Sequence, residues 1–230
     1  RYDLAELEGR LRRGGVRVVA VASANYATGW RQDLPAIGAL CRAHGARLCV
    51  DAIQTLGAFP LDVQAIGVDY LCAGGHKWLL SPEGSGILYV DRSAISDFDD
   101  TLVAWRGRER FTEYEDHTLP PRRDARRFEE GALNVDGILG LGASLELFLE
   151  RGVERIAETV QEHVDTLRQV LKELGFEVVS PKAREERCGI VAARRPGTDL
   201  EQLAAALGRD GIVCVVRRGL LRLAPHGYQT

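Results

Sequence analysis

Lys77 stands between His76 and Trp78, directly after Gly74 and Gly75, in the apolar stretch LCAGGHKWLLSPEGSGILYV of residues 71–90. The chain contains three lysines, Lys77, Lys172 and Lys182, and the rest of its 30 basic residues are arginines, so Lys77 is not generic surface charge. An arginine stays protonated in a protein, whereas a partly buried lysine gives up its proton and becomes a nucleophilic amine. Upstream, Asp51 closes the apolar run RLCVD. An amine and a carboxylate brought to one place suit Schiff-base chemistry with a carbonyl compound. Two plainer readings compete with it: a structural ion pair, and a lysine whose stem covers apolar surface while its charge reaches water.

The elements around these residues decide whether they can meet. VRVVAVAS (16–23), ARLCVDA (46–52), DYLCAGG (69–75) and SGILYV (85–90) are β-branched or apolar runs of strand length. LPAIGALCRAHG (34–45) has helical spacing and a glycine stop, and RYDLAELEGRLRRGG opens the chain as an amphipathic helix. Strands separated by helices imply right-handed crossovers and a mainly parallel sheet, an α/β fold. Ligands of such sheets sit outside the carboxyl ends of the strands. Asp51 is expected at one strand end and Lys77 just past the next, on one side of the sheet. Further along, residues 137–174 carry apolar positions at helical spacing. GFEVVS, CGIVAAR, IVCVV and LLRLA read as strands around the helix DLEQLAAALGRDG, a smaller α+β domain. The division falls at residues 1–149 and 150–230. Residues 105–130, dense in both charges with a Pro-Pro break, read as a solvated loop, or as a segment over the site or a dimer interface.

Pyridoxal phosphate gives a specific reason for the Asp51–Lys77 pairing. The cofactor needs a lysine for its aldehyde and an acid to keep its ring nitrogen protonated, and glycines beside the lysine let backbone approach it closely. The segment VDAIQTLGAFPLDVQAIGVDYLCAGGHKWLLSPEGSGILYV (50–90) resembles the core of the class V aminotransferases, fold-type I enzymes that include cysteine desulfurases, isopenicillin epimerases, kynureninases and transaminases. The order is aspartate, glutamine three residues on, G-x-x-P-x-D, then H-K-W-L and P-x-G-x-G-x-L-Y-V. RFEEGALNVDGILGLGASLELFLERG (127–152) and LLRLAPHGYQT (220–230) resemble later parts of the same family.

The resemblance implies pyridoxal 5'-phosphate as cofactor, Lys77 as its Schiff-base lysine and Asp51 as partner of its pyridine nitrogen. It implies that Gln54 bonds the ring's phenolic oxygen, that His76 contacts the phosphate or supports the lysine, and that Arg222 holds a substrate α-carboxylate. Asn25 and Thr28, in ANYATGWRQDL, fall where the family brings a loop towards the cofactor, although Asn and Thr before glycine also make an ordinary turn. Departures accompany the likeness. Gly74 stands where many relatives have a phosphate-binding serine, and Ala132 in GALN stands where many have a threonine that serves the neighbouring subunit of a homodimer. The family's ring-stacking aromatic and phosphate-binding turn lie upstream of the matching region, and the chain has no methionine, so it reads as a piece of a longer one.

Composition narrows the rest. A net charge of −3 from 33 acids and 30 bases spread along the chain points to no nucleic-acid partner. No apolar run is long enough to cross a bilayer and residues 1–17 are charged throughout, which gives a soluble, cytoplasmic protein as the expectation. Cys41, Cys49, Cys72, Cys188 and Cys214 form no CxxC pair and are expected as buried reduced thiols, with no metal site. His117 has no partner at metal-ligand spacing, and His44 and His163 read as helix-surface residues. The expected function is a pyridoxal phosphate enzyme acting on an amino acid or amine, foremost a transaminase. The alternatives are a lyase or epimerase of the same family, a catalytically silent partner subunit, or a nicotinamide-dependent α/β enzyme supported by the sheet pattern alone. Desulfurases resembling this family use a mobile cysteine before the C-terminal arginine, whereas Cys214 in VCVVRRGLLRLAPHG is expected inside an apolar strand.

Overall fold

The computed structural model describes residues 2–99, 104–116 and 118–229. Aspartates start most of its early elements. Asp3 accepts hydrogen bonds from the N–H groups of Ala5 and Glu6 and opens α1 (Leu4–Arg12). Asp33 accepts from Ala36 N–H at the start of α2 (Leu34–Ala43), and Asp62 caps α3 (Val63–Ile66). Between them run β1 (Val18–Ala22), β2 (Arg47–Asp51) and β3 (Tyr70–Gly74), followed by β4 (Gly86–Val90). The sheet order is β1-β2-β3-β4, with β1–β2 and β2–β3 parallel and β3–β4 antiparallel. The mainly parallel α/β sheet is thus present.

Alternation along the strands separates two faces. Val19, Leu48, Val50, Leu71 and Ala73 pack against Leu11, Leu34, Ile37 and Cys41 of the helices. The other face is open. Val18 and Leu88 are 50% and 49% exposed there, and with Ala20, Cys49 and Tyr70 they line a shallow hollow of about 950 Å³. Asp51 lies on this open face at its carboxyl end, in register with Cys72 of β3.

The second half carries α4 (Val135–Arg151), α5 (Val153–Glu173), β5 (Glu177–Val178), β6 (Val191–Arg194), α6 (Leu200–Arg209), β7 (Val215–Arg217) and β8 (Leu220–Leu223). Its sheet is antiparallel throughout, in the order β5-β6-β8-β7. Val191, Ala193 and Leu221 face α5, where Val164 and Leu171 complete a core. The opposite face points to the first half. Cys188 and Ile190, leading into β6, join Ala24, Ala58, Phe59, Trp78 and Val160 of α5 in one buried cluster. Trp78 is the centre of that cluster because glycines make room for it. A Cβ on Gly189 would lie 2.2 Å from its ring, and one on Gly57, at φ +95°, 2.5 Å from its carbonyl oxygen.

Several sequence expectations need adjustment. The helical stretch 137–174 is two helices, broken at Gly152 with φ +82°. The strand expected in IVCVV begins only at Val215, so Cys214 lies in the lead-in to β7, half-buried beside the α5–α6 core, and not inside a strand. The cysteines are free, but only Cys41 and Cys188 are buried; Cys72 is exposed because it projects from the uncovered sheet face. Short turns and ring contacts punctuate the described residues of the 105–130 segment. Short 3-10 turns at Trp105–Gly107 and Ala125–Phe128 are tied by a bridge between Arg108 and Pro121, and Trp105 gathers Phe111 and Tyr114 around it. His117 lies outside the described residues. Among the described residues no helix is long and apolar enough to cross a membrane, and no His, Cys, Asp and Glu side chains cluster as a metal site.

Candidate active site

β2 and β3 deliver Asp51 and Lys77 to one edge of the sheet. Asp51 is exposed, and one carboxylate oxygen accepts a hydrogen bond from Ile53 N–H at 3.0 Å, which turns the chain away from the strand. After β3, Gly75 donates to the carbonyl of Ser85 at 2.9 Å and accepts from Ser81 N–H at 3.0 Å, a double tie that fixes the turn bearing Lys77. A side chain at Gly75 would collide with Ser81 and Ser85. Trp78, buried next to the lysine, anchors the other side.

The charge on Lys77 is unfavourably placed. Burial pushes its pKa below the ordinary lysine value, the Arg222 guanidinium pushes it further the same way, and Asp51 opposes both. Residues from two distant parts of the sequence therefore act on the Lys77 ammonium. Arg222 comes from the middle of β8, paired with Ala192 of β6 and Val215 of β7. Leu221, beside it, points into the α5 core, so Arg222 faces the opposite way, towards the Trp78 cluster. Burial lowers its pKa also, and its Nε atom is buried without a hydrogen-bond partner. Among the described residues no carboxylate pairs with it.

Gln54 is buried at 5% exposure, and its Oε1 atom has no partner. A buried acceptor left unpaired costs about 1–3 kcal/mol, so such an atom fits a site whose ligand supplies the missing bond. His76 is exposed, and its imidazole folds back over Gly74, where a Cβ would stand 3.0 Å from the ring. The absence of a side chain at Gly74 leaves the space that the histidine occupies. Asn25 accepts from the N–H groups of Ala27 and Thr28 at 2.9 and 3.0 Å, closing the turn that its sequence context suggested. That turn follows β1 at the same end of the sheet. Ala132 lies between the 3-10 turn at Ala125–Phe128 and α4, where Asn134 caps the helix and donates to Gly84 O at 3.0 Å.

Three residues of this region escaped the sequence reading. His226 stacks on Trp78 with ring centroids 4.9 Å apart, and Tyr228 stacks on His226 at 4.6 Å. The His226 ring is buried, which lowers its pKa, and neither ring nitrogen has a hydrogen-bond partner. Tyr26, from the Asn25 turn, lies under the guanidinium of Arg218, 5.8 Å from ring centroid to carbon, which links the β7–β8 hairpin to the end of β1. The available signal was the ring-bearing spacing H-G-Y after Arg222, but stacking partners distant in sequence cannot be read from spacing.

The family described as aminotransferase class-V matches residues 1–220. An uncharacterized aminotransferase of Bacillus subtilis is 30% identical over 213 residues, covering 93% of this chain and 55% of that protein. The apo cysteine desulfurase of Thermococcus onnurineus superposes with a TM-score of 0.89 and 25% identity, over 99% of this chain and 59% of the other. A C-DES mutant with glycine covalently linked to its pyridoxal phosphate superposes with a TM-score of 0.83 and 25% identity, over 97% of this chain and 59% of the other. The chain spans about half the length of the curated relatives it matches. By sequence match and by fold, this chain belongs to the class V aminotransferase family of fold-type I, pyridoxal phosphate-dependent enzymes.

Proposed function

We propose that this chain carries the cofactor lysine of a pyridoxal phosphate enzyme acting on an amino acid, and that its reaction is transamination. The observation that carries the reading is the convergence of Lys77, Asp51 and Arg222 at one sheet edge, none of them held in an ion pair among the described residues. The orphaned Gln54 and Arg222 atoms fit a polar ligand there. When bound, the cofactor supplies a ring that withdraws electrons from the substrate's α-carbon.

The chain's own residues do the rest. The lowered pKa of Lys77 favours the neutral amine, the form that attacks a carbonyl, and Nζ is then the group that carries the α-proton. Asp51 holds a proton on the ring nitrogen. Gln54 turns its amide to the phenolic oxygen, since an amide offers a donor and an acceptor end. His76, whose ring lies beside Gly74, would contact the cofactor's phosphate or support the lysine. Asn25 shapes the turn that presents Thr28, and Arg222 takes the α-carboxylate with a planar fork of donors. Residues 1–149 act as the cofactor-side domain and 150–230 as the smaller domain that closes the cleft. The reading extends to a homodimer in the cytoplasm, with the 131–134 segment at the partner's site.

Relatives include proteins named as cysteine desulfurases, so desulfuration is the second reading. The thiols argue against it. Burial raises the pKa of Cys41, Cys49, Cys72, Cys188 and Cys214, with Cys188 pushed up to about 11, whereas persulfide formation needs a thiolate in an accessible, electropositive place. Incubating the full-length protein with pyridoxal phosphate and alanine, glutamate or cysteine separates the two. Transamination predicts 2-oxo acid in step with conversion of the cofactor to its amine form. Rapid alanine formation from cysteine that disappears in Cys214→Ser would overturn it in favour of desulfuration.

A further inference from the structure

The last twenty residues, 211–230, contain three arginines and no acid, although the chain as a whole has 33 acids against 30 lysines and arginines. Two of the three lie on one face of the second sheet. Arg222 is in register with Val215, and Arg217, two residues along β7, returns to the same face opposite Leu220. Diagonal neighbours of this kind have Cα atoms about 7–8 Å apart. The opposite face is filled by the α5–α6 core, so both guanidiniums project on the side of the sheet that faces the first half.

The hairpin also has a fixed position there. Arg218, at the turn with φ +53°, lies over Tyr26, so the tip docks on the turn after β1. β7 is the edge of its sheet, which leaves the Arg217 side of the cleft open to solvent. Among the described residues neither Arg217 nor Arg222 has an ion-pair partner, whereas arginines elsewhere meet nearby acids, as Arg47 does Asp69 and Asp97 or Arg194 does Glu177. Their charges are mutually unfavourable: Arg217 lowers the pKa of Arg222 and so lies within its electrostatic reach. Two uncompensated guanidiniums held side by side at the mouth of an amino-acid site are stabilised by a ligand with two acid groups.

We propose that the substrate is a dicarboxylic amino acid, whose side-chain carboxylate is held by Arg217 while Arg222 holds its α-carboxylate. This deepens the proposed function and rests on the same site. The half-buried Arg222, nearer Lys77, takes the group next to the reacting carbon. The exposed Arg217 takes the distal one, as an open edge strand can accommodate side chains of aspartate or glutamate length. Arg217 is then the residue that sets specificity.

Two measurements on the full-length protein test it. The first uses protein freed of cofactor and calorimetric titration with glutarate and with butyrate. Glutarate should bind at least about tenfold more tightly, and Arg217→Gln should remove that difference while Arg217→Lys restores part of it. Equal binding of the two acids, or a preference for glutarate that Arg217→Gln leaves intact, overturns the proposal. The second compares kcat/KM for glutamate and for norvaline, its neutral counterpart, with pyridoxal phosphate bound. Arg217→Gln should lower the ratio of the two by about ten- to a hundredfold. A ratio that stays fixed while cofactor affinity falls would place Arg217 at the cofactor phosphate and overturn the proposal. Absence of any cofactor bound to Lys77 would instead defeat the proposed function, and the glutarate titration would still decide the dianion site.

Discussion

Lys77 shows how much a single side chain can be asked to do. Its ammonium loses solvation, faces Arg222 and gains only partial relief from Asp51. Each influence predicts its own mutational signature. Arg222→Gln removes a like charge and should raise the Lys77 pKa towards the ordinary value, whereas Asp51→Asn removes the opposing charge and should lower it further. Competitive labelling of the free amine across pH 6–11, read by mass spectrometry of the Lys77 peptide, measures both shifts. Movement in the same direction for the two variants would show that the three groups do not share a site. Lys77, Asp51, Gln54, His76 and Arg222 stand out in the sequence as candidates because each sits in an ordered motif that resembles the family's. Tyr26, Arg217 and His226 were not, since what marks them is a partner brought near only by the fold, such as Trp78 under the His226 ring.

The elements that hold these residues depend on close backbone approach. Gly57 is the clearest case, because a methyl group there would stand 2.5 Å from the Trp78 carbonyl and the backbone sits at φ +95°. Gly14 has a comparable conformation, φ +75°, but nothing lies within 4 Å of its absent Cβ. Gly14→Ala should therefore cost only the conformational strain, about 1 kcal/mol, while Gly57→Ala adds the clash and should cost about 2–4 kcal/mol. In calorimetry the second loss corresponds to roughly 5–15 °C in Tm for a chain of this length. Equal losses for the two variants would mean that the Gly57–Trp78 approach is not a constraint. Strands and helices were readable from the periodicity of VRVVAVAS, LPAIGALCRAHG and ARLCVDA, which are buried on one side as the pattern demands. The break at Gly152 and the late start of β7 were not. A glycine within a helical pattern is ambiguous, and IVCVV has the composition of a strand although the sheet pairs only its last two residues.

Across the whole molecule, the open face of the first sheet and the acid-free C-terminal segment meet at the carboxyl ends of β2 and β3. The Trp78 cluster fixes the two sheets relative to each other, so Arg222 and Lys77 are held by one core and not by flexible loops. The orphaned atoms of Gln54 and Arg222 are tolerated because a core of this size absorbs a few kcal/mol of local cost. The central claim is that Lys77 is the residue to which pyridoxal phosphate attaches, and it is tested most directly by reducing the loaded full-length protein with borohydride and sequencing the labelled peptide. One labelled peptide is expected, the one containing Lys77, with the label and the yellow absorbance both lost in Lys77→Ala. A label carried by Lys172, Lys182 or a lysine elsewhere in the polypeptide, persisting in Lys77→Ala, would contradict it.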